Sequence, residues 1–225
     1  MFLSCENLDK TYQNNSTSTS IAEHVLKNIN LNIEEGVLAA LRGPSGSGKS
    51  TLLNLIAGLD YPSSGKVIFN NIVVNNLNNS ELAMYRNKNI SIIFQFFNLL
   101  NDLTVYENIA LPLIIRGEKR KQISKKVIPL IEEIGLMNRK DFKTNILSGG
   151  ESQRVAIARS LVTEPKLILA DEPTGNLDKS NTDMILDLLI NSCKSTNSTL
   201  LMVTHDMDLL KKFDKVYTLE SGIIS

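Results

Sequence analysis

The sequence is poor in cysteine and aromatic residues and has no long hydrophobic run. Its 225 residues include two cysteines and no tryptophan, and only 5% are aromatic. Because Cys5 and Cys193 stand alone in apolar segments without C-x-x-C spacing, we expect two free thiols and no disulfide framework. No apolar run approaches the ~20 residues that cross a bilayer, and the run at 109–115 contains Pro112. If the protein acts at a membrane, another chain must span it.

The N-terminus argues against a secreted protein, and the charge balance argues against a protein that coats nucleic acid. Residues 1–6 lack the basic region and apolar core of a secretory signal, so we expect a cytoplasmic chain. The 24 basic residues are balanced by 24 acidic ones, whereas a surface that coats nucleic acid carries a basic excess. Apolar residues make up 42% of the chain, enough for the core of one domain or of one domain with an inserted subdomain.

One stretch carries a specific signal for phosphate binding. Residues 43–50 read Gly-Pro-Ser-Gly-Ser-Gly-Lys-Ser and match G-x-x-x-x-G-K-[ST] without a mismatch. Apolar residues 37–41 precede the match and 51–57 follow it, which gives the strand–loop–helix context of a P-loop. The glycines let backbone N–H groups surround phosphate oxygens, and the positive end of the helix dipole attracts the anion. An ordinary Gly/Ser turn is the improbable alternative.

The P-loop match assigns roles to individual residues. Lys49 is predicted to reach the β- and γ-phosphates, and Ser50 to hold Mg²⁺. The predicted nucleotide-binding residues of this segment are Gly43, Pro44, Ser45, Gly46, Ser47, Gly48, Lys49, Ser50 and Thr51.

Two adjacent carboxylates follow a second apolar strand. Residues 167–170 are apolar and lead directly into Asp171 and Glu172. Asp171 is predicted to hold Mg²⁺ through water, and Glu172 to act as the general base for an attacking water. The alternative is a solvated acidic turn before Pro173.

Residues 147–151, Leu-Ser-Gly-Gly-Glu, open another predicted helix. Ser148 and Glu151 have the spacing of a capping box, which alone would explain both residues. Gly149 and Gly150 are harder to explain, because each glycine costs a helix about 1 kcal/mol relative to alanine. Two glycines in the first turn make sense if a phosphate approaches the backbone there.

The alternation of strands and helices predicts a parallel sheet. The predicted strands are residues 2–12, 25–33, 37–41, 66–69, 72–74, 90–94, 166–170, 200–203 and 216–219. The predicted helices are residues 51–57, 80–85, 104–111, 118–134, 148–162, 178–195 and 207–213. We expect the helix at 178–195 to have an apolar stripe of Met184, Ile185, Leu188 and Leu189. The polar stretch 13–20 is predicted to be a loop, and 66–74 a β-hairpin.

The chain resembles the ATP-binding subunits of ABC transporters over essentially its whole length, and residues 147–151 resemble the ABC signature motif. The resemblance implies an α/β P-loop NTPase fold with a parallel-sheet core, an antiparallel β subdomain and an inserted helical subdomain. It implies one domain, with a core of residues 1–95 and 163–225 and a helical subdomain of about 96–162. The implied cofactors are ATP and Mg²⁺.

The same resemblance implies partners and further site residues. Ser148, Gly149, Gly150 and Glu151 would contact ATP held by a second copy of the chain, so that a homodimer encloses two ATP molecules. An integral membrane permease would hold the dimer on the cytoplasmic face of the cell membrane, and no nucleic-acid partner is expected. The family roles carried to single residues are adenine stacking for Tyr12, sensing of Mg²⁺ and water for Gln95, the D-loop for Asn176, Leu177 and Asp178, and a γ-phosphate contact for His205.

Three of these roles have plainer alternatives. An aromatic residue at a strand end, such as Tyr12, is often there for packing. Gln95 also ends a strand, where it could make only local hydrogen bonds, and an isolated histidine such as His205 is usually structural. The aromatic run Phe94, Phe96 and Phe97 fits either permease docking or packing in the subdomain core.

Residues 94–100, 103–113 and 171–178 resemble a narrower group, the lipoprotein-releasing, macrolide-exporting and FtsE-like ATPases of the MacB-LolD type. The expected function is a cycle in which ATP binding closes the dimer and hydrolysis with phosphate release opens it. This cycle would power export, lipoprotein release or mechanotransmission by the partner permease. The alternatives are a soluble ABC ATPase outside transport, or a transmembrane signalling complex that controls cell-wall hydrolysis. Asn101, where these relatives commonly have proline, and Asn145-Ile146 depart from the group's pattern near the surface expected to meet the permease.

Overall fold

The computed structural model describes residues 2–14, 21–175 and 179–225. Contacts divide the chain into two compact units, residues 1–86 with 199–225, and residues 87–198. The predicted D-loop of Asn176, Leu177 and Asp178 lies outside the described residues, as does most of the predicted polar loop. The predicted division into a core and a helical subdomain at 96–162 stays a prediction.

Ten strands and six α-helices alternate along the described chain. The strands are β1 (Leu3–Asn14), β2 (Ile21–Ile33), β3 (Leu38–Arg42), β4 (Ser64–Phe69), β5 (Ile72–Val73), β6 (Ile90–Ile93), β7 (Leu167–Asp171), β8 (Thr199–Val203), β9 (Lys215–Glu220) and β10 (Ile223–Ile224). The helices are α1 (Lys49–Ile56), α2 (Asn79–Asn89), α3 (Val105–Ile115), α4 (Arg120–Glu133), α5 (Gly149–Leu161) and α6 (Lys179–Thr196).

An antiparallel sheet in the first unit has the strand order β2-β1-β4-β5. Strands β4 and β5 form the predicted hairpin, with Ile68 opposite Val73 and Phe69 opposite Ile72. The turn residues Asn70 and Asn71 have φ of 46° and 64°, as a type I′ turn requires. Strand β1 runs two residues further than predicted, because Gln13 and Asn14 pair with β2.

The parallel strands of the first unit position the phosphate loop. Strands β8 and β9 lie parallel to β3 on its two sides, and β10 pairs antiparallel with β9. Residues 38–41 of β3 are buried on both faces, which explains why they are uninterrupted apolar residues. The carboxyl end of β3 leads directly into Gly43 and helix α1.

The second unit pairs two parallel strands and surrounds a separate helical core. Strand β6 lies parallel to β7, with Ile93 opposite Ala170. Helices α3, α4 and α5 pack around one apolar cluster. The fully buried members of this cluster are Val105, Ile109, Leu113, Val127, Ile131, Val155 and Ala158. The parallel sheet and the helical region are therefore as predicted.

Three local predictions were wrong or too short. Helix α3 was expected to end near 111, yet it continues through Pro112 to Ile115, because Ile109 and Leu113 anchor it in the core. Residues 207–213 form only a short 3-10 helix, Leu209–Lys212. Met184 is 51% exposed, so the buried stripe of α6 is rotated from the predicted one. The buried stripe includes Ile185, Leu186, Leu189, Ile190 and Cys193.

Both cysteines are buried free thiols, as predicted. Burial raises the pKa of each thiol to about 12. Within residues 2–14, 21–175 and 179–225, no helix has the length and apolar character to cross a bilayer.

Candidate nucleotide-binding site

The phosphate loop depends on three glycines with positive φ. Gly43, Gly46 and Gly48 have φ of 154°, 76° and 102°. A Cβ on Gly43 would lie 2.0 Å from the carbonyl oxygen of Leu219, and one on Gly48 would lie 2.8 Å from Leu26 Cδ2. A side chain at either position is excluded by backbone conformation and by contact. Around Gly46, nothing lies within 4 Å of the corresponding position, so this part of the loop is open.

Helix α1 begins without a side-chain cap. Its N-cap is Gly48, which offers no side-chain oxygen to the first N–H groups of the helix. The first turns of α-helices contain N–H groups without intrahelical partners, and these bind anions well. The exposed hydroxyl of Ser50 lies in this first turn.

Lys49 and Ser47 have polar side-chain atoms buried inside the loop. Lys49 Nζ donates hydrogen bonds to the carbonyl oxygens of Gly43, at 3.0 Å, and Pro44, at 2.7 Å. Ser47 Oγ is buried and has no hydrogen-bond partner among the described residues. A buried hydroxyl without a partner is costly, so an acceptor supplied by a ligand fits this position. Charge, open backbone and this hydroxyl together suit a polyphosphate.

Tyr12 lies beside the phosphate-loop helix within the same unit. Its hydroxyl donates a hydrogen bond to Asp60 Oδ2 at 2.8 Å, and its side chain also hydrogen-bonds to Thr51 in α1. Partial burial and the Asp60 carboxylate raise the pKa of the phenol. The side chain is 41% exposed, so packing alone does not account for Tyr12.

His205 lies at the same sheet edge as the phosphate loop. Leu41 of β3 pairs with Val203 of the parallel strand β8, and Gly43 and His205 each follow two residues later. Parallel strands end at one edge, where such sheets bind ligands. His205 is exposed, whereas Thr204 before it is buried and accepts a hydrogen bond from the Asp206 N–H at 3.1 Å.

The second unit repeats this arrangement with Gln95 and the two carboxylates. Ile93 of β6 pairs with Ala170 of β7, and Gln95 and Glu172 each follow two residues later. Asp171 is the last residue of β7 and is half-buried. Glu172 has φ of 46°, a left-handed conformation that costs a non-glycine residue roughly 1 kcal/mol. Such strain concentrates at functional sites, where it fixes a side-chain direction.

The signature segment contains the predicted capping box. The Glu151 N–H donates to Ser148 Oγ at 3.3 Å, and the Ser148 N–H donates to Glu151 Oε2 at 2.8 Å. The hydrogen bond from the Ser148 backbone holds the pKa of Glu151 below its usual value. A Cβ on Gly149 would meet only Phe97 Cζ, at 3.8 Å, and one on Gly150 would meet the Asn181 side chain at 3.3 Å. Packing with the backbone therefore does not require either glycine.

The donor atoms present suit Mg²⁺ bound together with phosphates. Among the described residues, no group of three or more His, Cys, Asp or Glu side chains could hold a metal ion. Mg²⁺ is commonly bound by one or two side chains, with substrate phosphates and water completing its octahedron. The first unit contains one oxygen ligand of this kind, the hydroxyl of Ser50. The second unit contains two others, the carboxylate of Asp171 and the amide oxygen of Gln95.

Sequence patterns missed several residues that support the site. Gln153, buried in α5, donates to the carbonyl oxygen of Pro173 at 2.5 Å. Arg159 donates to the carbonyl oxygens of Phe97, at 2.9 Å, and Asn98, at 2.7 Å. Helix α5 thus holds the segments that follow Glu172 and Gln95. No pattern in the sequence marked Gln153 or Arg159, because both look like ordinary residues of the helix that follows Glu151.

The aromatic run after β6 does not pack in a core as a whole. Phe96 is 72% exposed and Phe94 is exposed as well. Core packing is therefore excluded for these two side chains, whereas Phe97 is half-buried next to Gly149.

Comparison with known proteins shows the family of the chain. The ABC transporter family profile matches residues 26–175. The chain belongs to the ABC transporter family. It is an ATP-binding and ATP-hydrolysing subunit of an ABC transporter, as its motifs predicted.

Members of the narrower group match nearly the full chain. The chain is 45% identical over 222 residues to the lipoprotein-releasing system ATP-binding protein LolD of Pseudoalteromonas translucida (strain TAC 125), covering 99% of this chain and 94% of that protein. It is 43% identical over 220 residues to LolD of Colwellia psychrerythraea (strain 34H), covering 98% and 84%. The predicted resemblance to the MacB-LolD type group is thus confirmed.

Solved structures support the fold. A dimeric post-hydrolysis state of the ATP-binding cassette MJ0796, bound to ADP and Pi, superimposes with a TM-score of 0.91 at 38% identity. The match covers 100% of this chain and 97% of that one. The α/β P-loop fold of an ABC nucleotide-binding domain is therefore confirmed.

Proposed function

We propose that this chain is the ATPase of a transporter that releases lipoproteins from a membrane. The main support for this proposal is the match to two LolD proteins, at 45% and 43% identity over nearly the whole chain. The match extends beyond the phosphate loop and the two carboxylates and includes residues 87–198, the second unit.

The partner that carries the substrate would be an integral membrane permease. The exposed Phe94 and Phe96 side chains, just after β6, are the proposed docking contacts. Large aromatic residues are enriched at the centres of protein interfaces. The ATPase would then work on the cytoplasmic face of the membrane without entering it.

A second copy of the chain would complete each ATP site. In this proposal residues 43–51 of one copy bind the phosphates, and Ser148, Gly149, Gly150, Glu151 and Asp178 of the other copy cover them. Support comes from the two glycines of α5, since the nearest contacts of an added Cβ outside the helix would be the side chains of Phe97 and Asn181 and not backbone. Further support comes from the related cassette MJ0796, which was solved as a dimer.

The residues around each ATP would divide the chemistry among them. Tyr12 would stack on the adenine. Lys49 would leave the loop carbonyls and bind the β- and γ-phosphates. Ser50, Asp171 and Gln95 would hold Mg²⁺, which neutralises charge on the phosphates during hydrolysis.

Proton transfer and sensing would fall to two further residues. Glu172 would accept the proton of the attacking water, for which its fixed backbone conformation is suited. His205 would hydrogen-bond the γ-phosphate from the sheet edge that it shares with the phosphate loop.

Reconstitution tests the proposed substrate. The full chain is purified from its host membranes with the permease that accompanies it, and the complex is placed in liposomes that carry a fluorescent acylated lipoprotein. With a soluble lipid-binding acceptor protein outside the liposomes to take up the acyl chains, ATP is expected to release the lipoprotein into the soluble fraction. The same complex with Glu172→Gln is the control and is expected to release none.

Two results would contradict the proposal. If the complex of permease and ATPase hydrolyses ATP but releases no lipoprotein, lipoproteins are not its substrate. Export of another molecule, or signalling, would then be favoured. If the chain is recovered with nucleic acid and without any membrane protein, the proposed permease partner is wrong.

A further inference from the structure

Lys10 is a buried cation beside the ring of Tyr12. Its side chain is only 10% exposed, and its Nζ donates to Asp60 Oδ1 at 2.8 Å and to the Tyr61 carbonyl oxygen at 2.7 Å. The same Nζ lies 4.6 Å from the centroid of the Tyr12 ring. A buried ammonium is costly unless it is paired, so these contacts hold Lys10 in one place.

Asp60 connects the cation to the phenol. One carboxylate oxygen accepts from Lys10, and the other accepts from the Tyr12 hydroxyl at 2.8 Å. Burial alone would raise the pKa of Asp60, but hydrogen bonds from Lys10 and Tyr12 bring it below its ordinary value. The carboxylate is therefore charged at neutral pH and accepts both donors together.

These contacts tie the Tyr12 ring to the helix that follows the phosphate loop. Thr51 in the first turn of α1 hydrogen-bonds to the Tyr12 side chain, and Asp60 follows the end of the same helix. The ring is thereby held at its hydroxyl and over one face, while 41% of the side chain remains exposed. An exposed, immobile aromatic face accepts a planar group by stacking.

We propose that Lys10 and Asp60 are positioning residues that hold Tyr12 as the platform for the nucleobase. The proposal rests on the proposed function, in which Tyr12 stacks on the base. A side chain that is already fixed loses less conformational freedom when its ligand binds, so the contacts raise affinity for the base. They leave the binding of the phosphates unchanged.

The test compares a ligand that has a base with one that lacks it. Dissociation constants are measured by calorimetry for ADP and for inorganic tripolyphosphate. Asp60→Asn removes the charge that pairs with Lys10 and leaves one acceptor oxygen, so Lys10 and the phenol can no longer both donate to residue 60. We expect about three- to tenfold weaker ADP binding, and tripolyphosphate binding within about twofold of the parent, since no contact with the base is involved.

A double-mutant cycle of Asp60→Asn with Tyr12→Phe distinguishes loss of the Asp60–Tyr12 contact from a general loss of structure. This variant keeps the ring and removes the hydroxyl that Asp60 holds. It should weaken ADP binding by a similar factor, and the double variant should lose little more, because both changes break one contact. Glu6→Gln is the matched control, because Glu6 pairs with another lysine of the same sheet, Lys66, at 2.9 Å.

The possible outcomes distinguish the positioning role of Asp60 from the stacking role of Tyr12. If Tyr12→Ala weakens ADP binding and Asp60→Asn does not, the positioning role is wrong and the platform stands. If Asp60→Asn weakens ADP and tripolyphosphate equally, Asp60 acts on the phosphate loop and the positioning role is also wrong. If Tyr12→Ala leaves ADP binding unchanged, the platform in the proposed function fails, and the positioning role fails with it.

Discussion

Helices α3 and α5 begin with the same hydrogen-bonded cap but differ in the two residues that follow it. In α3, the Thr104 N–H donates to Glu107 Oε2 at 2.8 Å and Thr104 Oγ1 accepts from the Glu107 N–H at 3.1 Å. In α5, the corresponding distances for Ser148 and Glu151 are 2.8 and 3.3 Å. The caps are therefore equivalent in geometry.

The residues behind each cap show what the difference means. In α3 they are Val105, which is fully buried, and Tyr106, whose hydroxyl hydrogen-bonds to Ser124. In α5 they are Gly149 and Gly150, which bury no side chain. Since a capping box stabilises both helices, the glycines of α5 serve another purpose. Leaving the backbone open to a phosphate from outside the chain is the purpose we propose.

Of the changes considered, Gly149→Asp should have the largest effect on the first turn of α5. An acidic residue in the first turn favours the helix, so the free energy of unfolding should rise by about 0.5–1 kcal/mol. The same charge would repel a phosphate, so ATP hydrolysis should fall by roughly a hundredfold, the loss seen when one preorganised donor is removed. Thermal unfolding and phosphate release measure the two effects.

Gln122→Asp is the matched control, because it adds the same charge to the exposed first turn of α4. It should leave hydrolysis unchanged. If Gly149→Asp hydrolyses ATP as fast as this control, the glycines have no role in nucleotide contact.

Removing the two caps in parallel should separate stability from activity. Ser148→Ala and Thr104→Ala should each lower the free energy of unfolding by about 1 kcal/mol, because each removes an N-cap oxygen. Only Ser148→Ala should also lower the ATP hydrolysis rate, by about tenfold for a lost hydrogen bond to a charged group. Denaturant unfolding and steady-state hydrolysis provide the comparison. Equal loss of activity in both variants would mean that the cap matters only through stability.

The smallest effect is expected in the pH dependence of the two caps. Backbone hydrogen bonds from Thr104 and Ser148 lower the pKa values of Glu107 and Glu151. A lowered pKa in the folded state stabilises the protein above the pKa of the unfolded chain, and the effect is lost as pH falls through the lowered value. Glu107→Gln and Glu151→Gln should therefore melt below the parent at pH 7. The difference should vanish in acid, and one that persists there would contradict the assignment.

The sequence predicted features that are encoded locally. The phosphate loop, the Ser148–Glu151 capping box and the Asn70–Asn71 hairpin each occupy a few consecutive residues, so their spacing alone identifies them. Helix α3 continues past Pro112 because burial of Leu113 outweighs one missing hydrogen bond. The local sequence pattern does not show that Leu113 is buried. The same holds for Asp60, which contacts Tyr12 across 48 positions of sequence.

Periodicity also failed where the helix face was set by packing. Residues 184, 185, 188 and 189 were expected to share the buried stripe of α6, but Met184 is exposed. The prediction was one residue out of phase, because burial continues instead through Leu186 and Ile190. Near the site, Gln153 and Arg159 look like ordinary helix residues in sequence, and only the fold shows which carbonyl groups they bind.

Light scattering of a double variant tests most directly whether a second copy completes the ATP site. The Glu172→Gln chain of 25.0 kDa should become a dimer of twice that mass with ATP and return to a monomer without it. Adding Gly149→Asp should leave the protein a monomer with ATP, although its own phosphate loop is intact. A double variant that dimerises as well as Glu172→Gln alone would contradict the account.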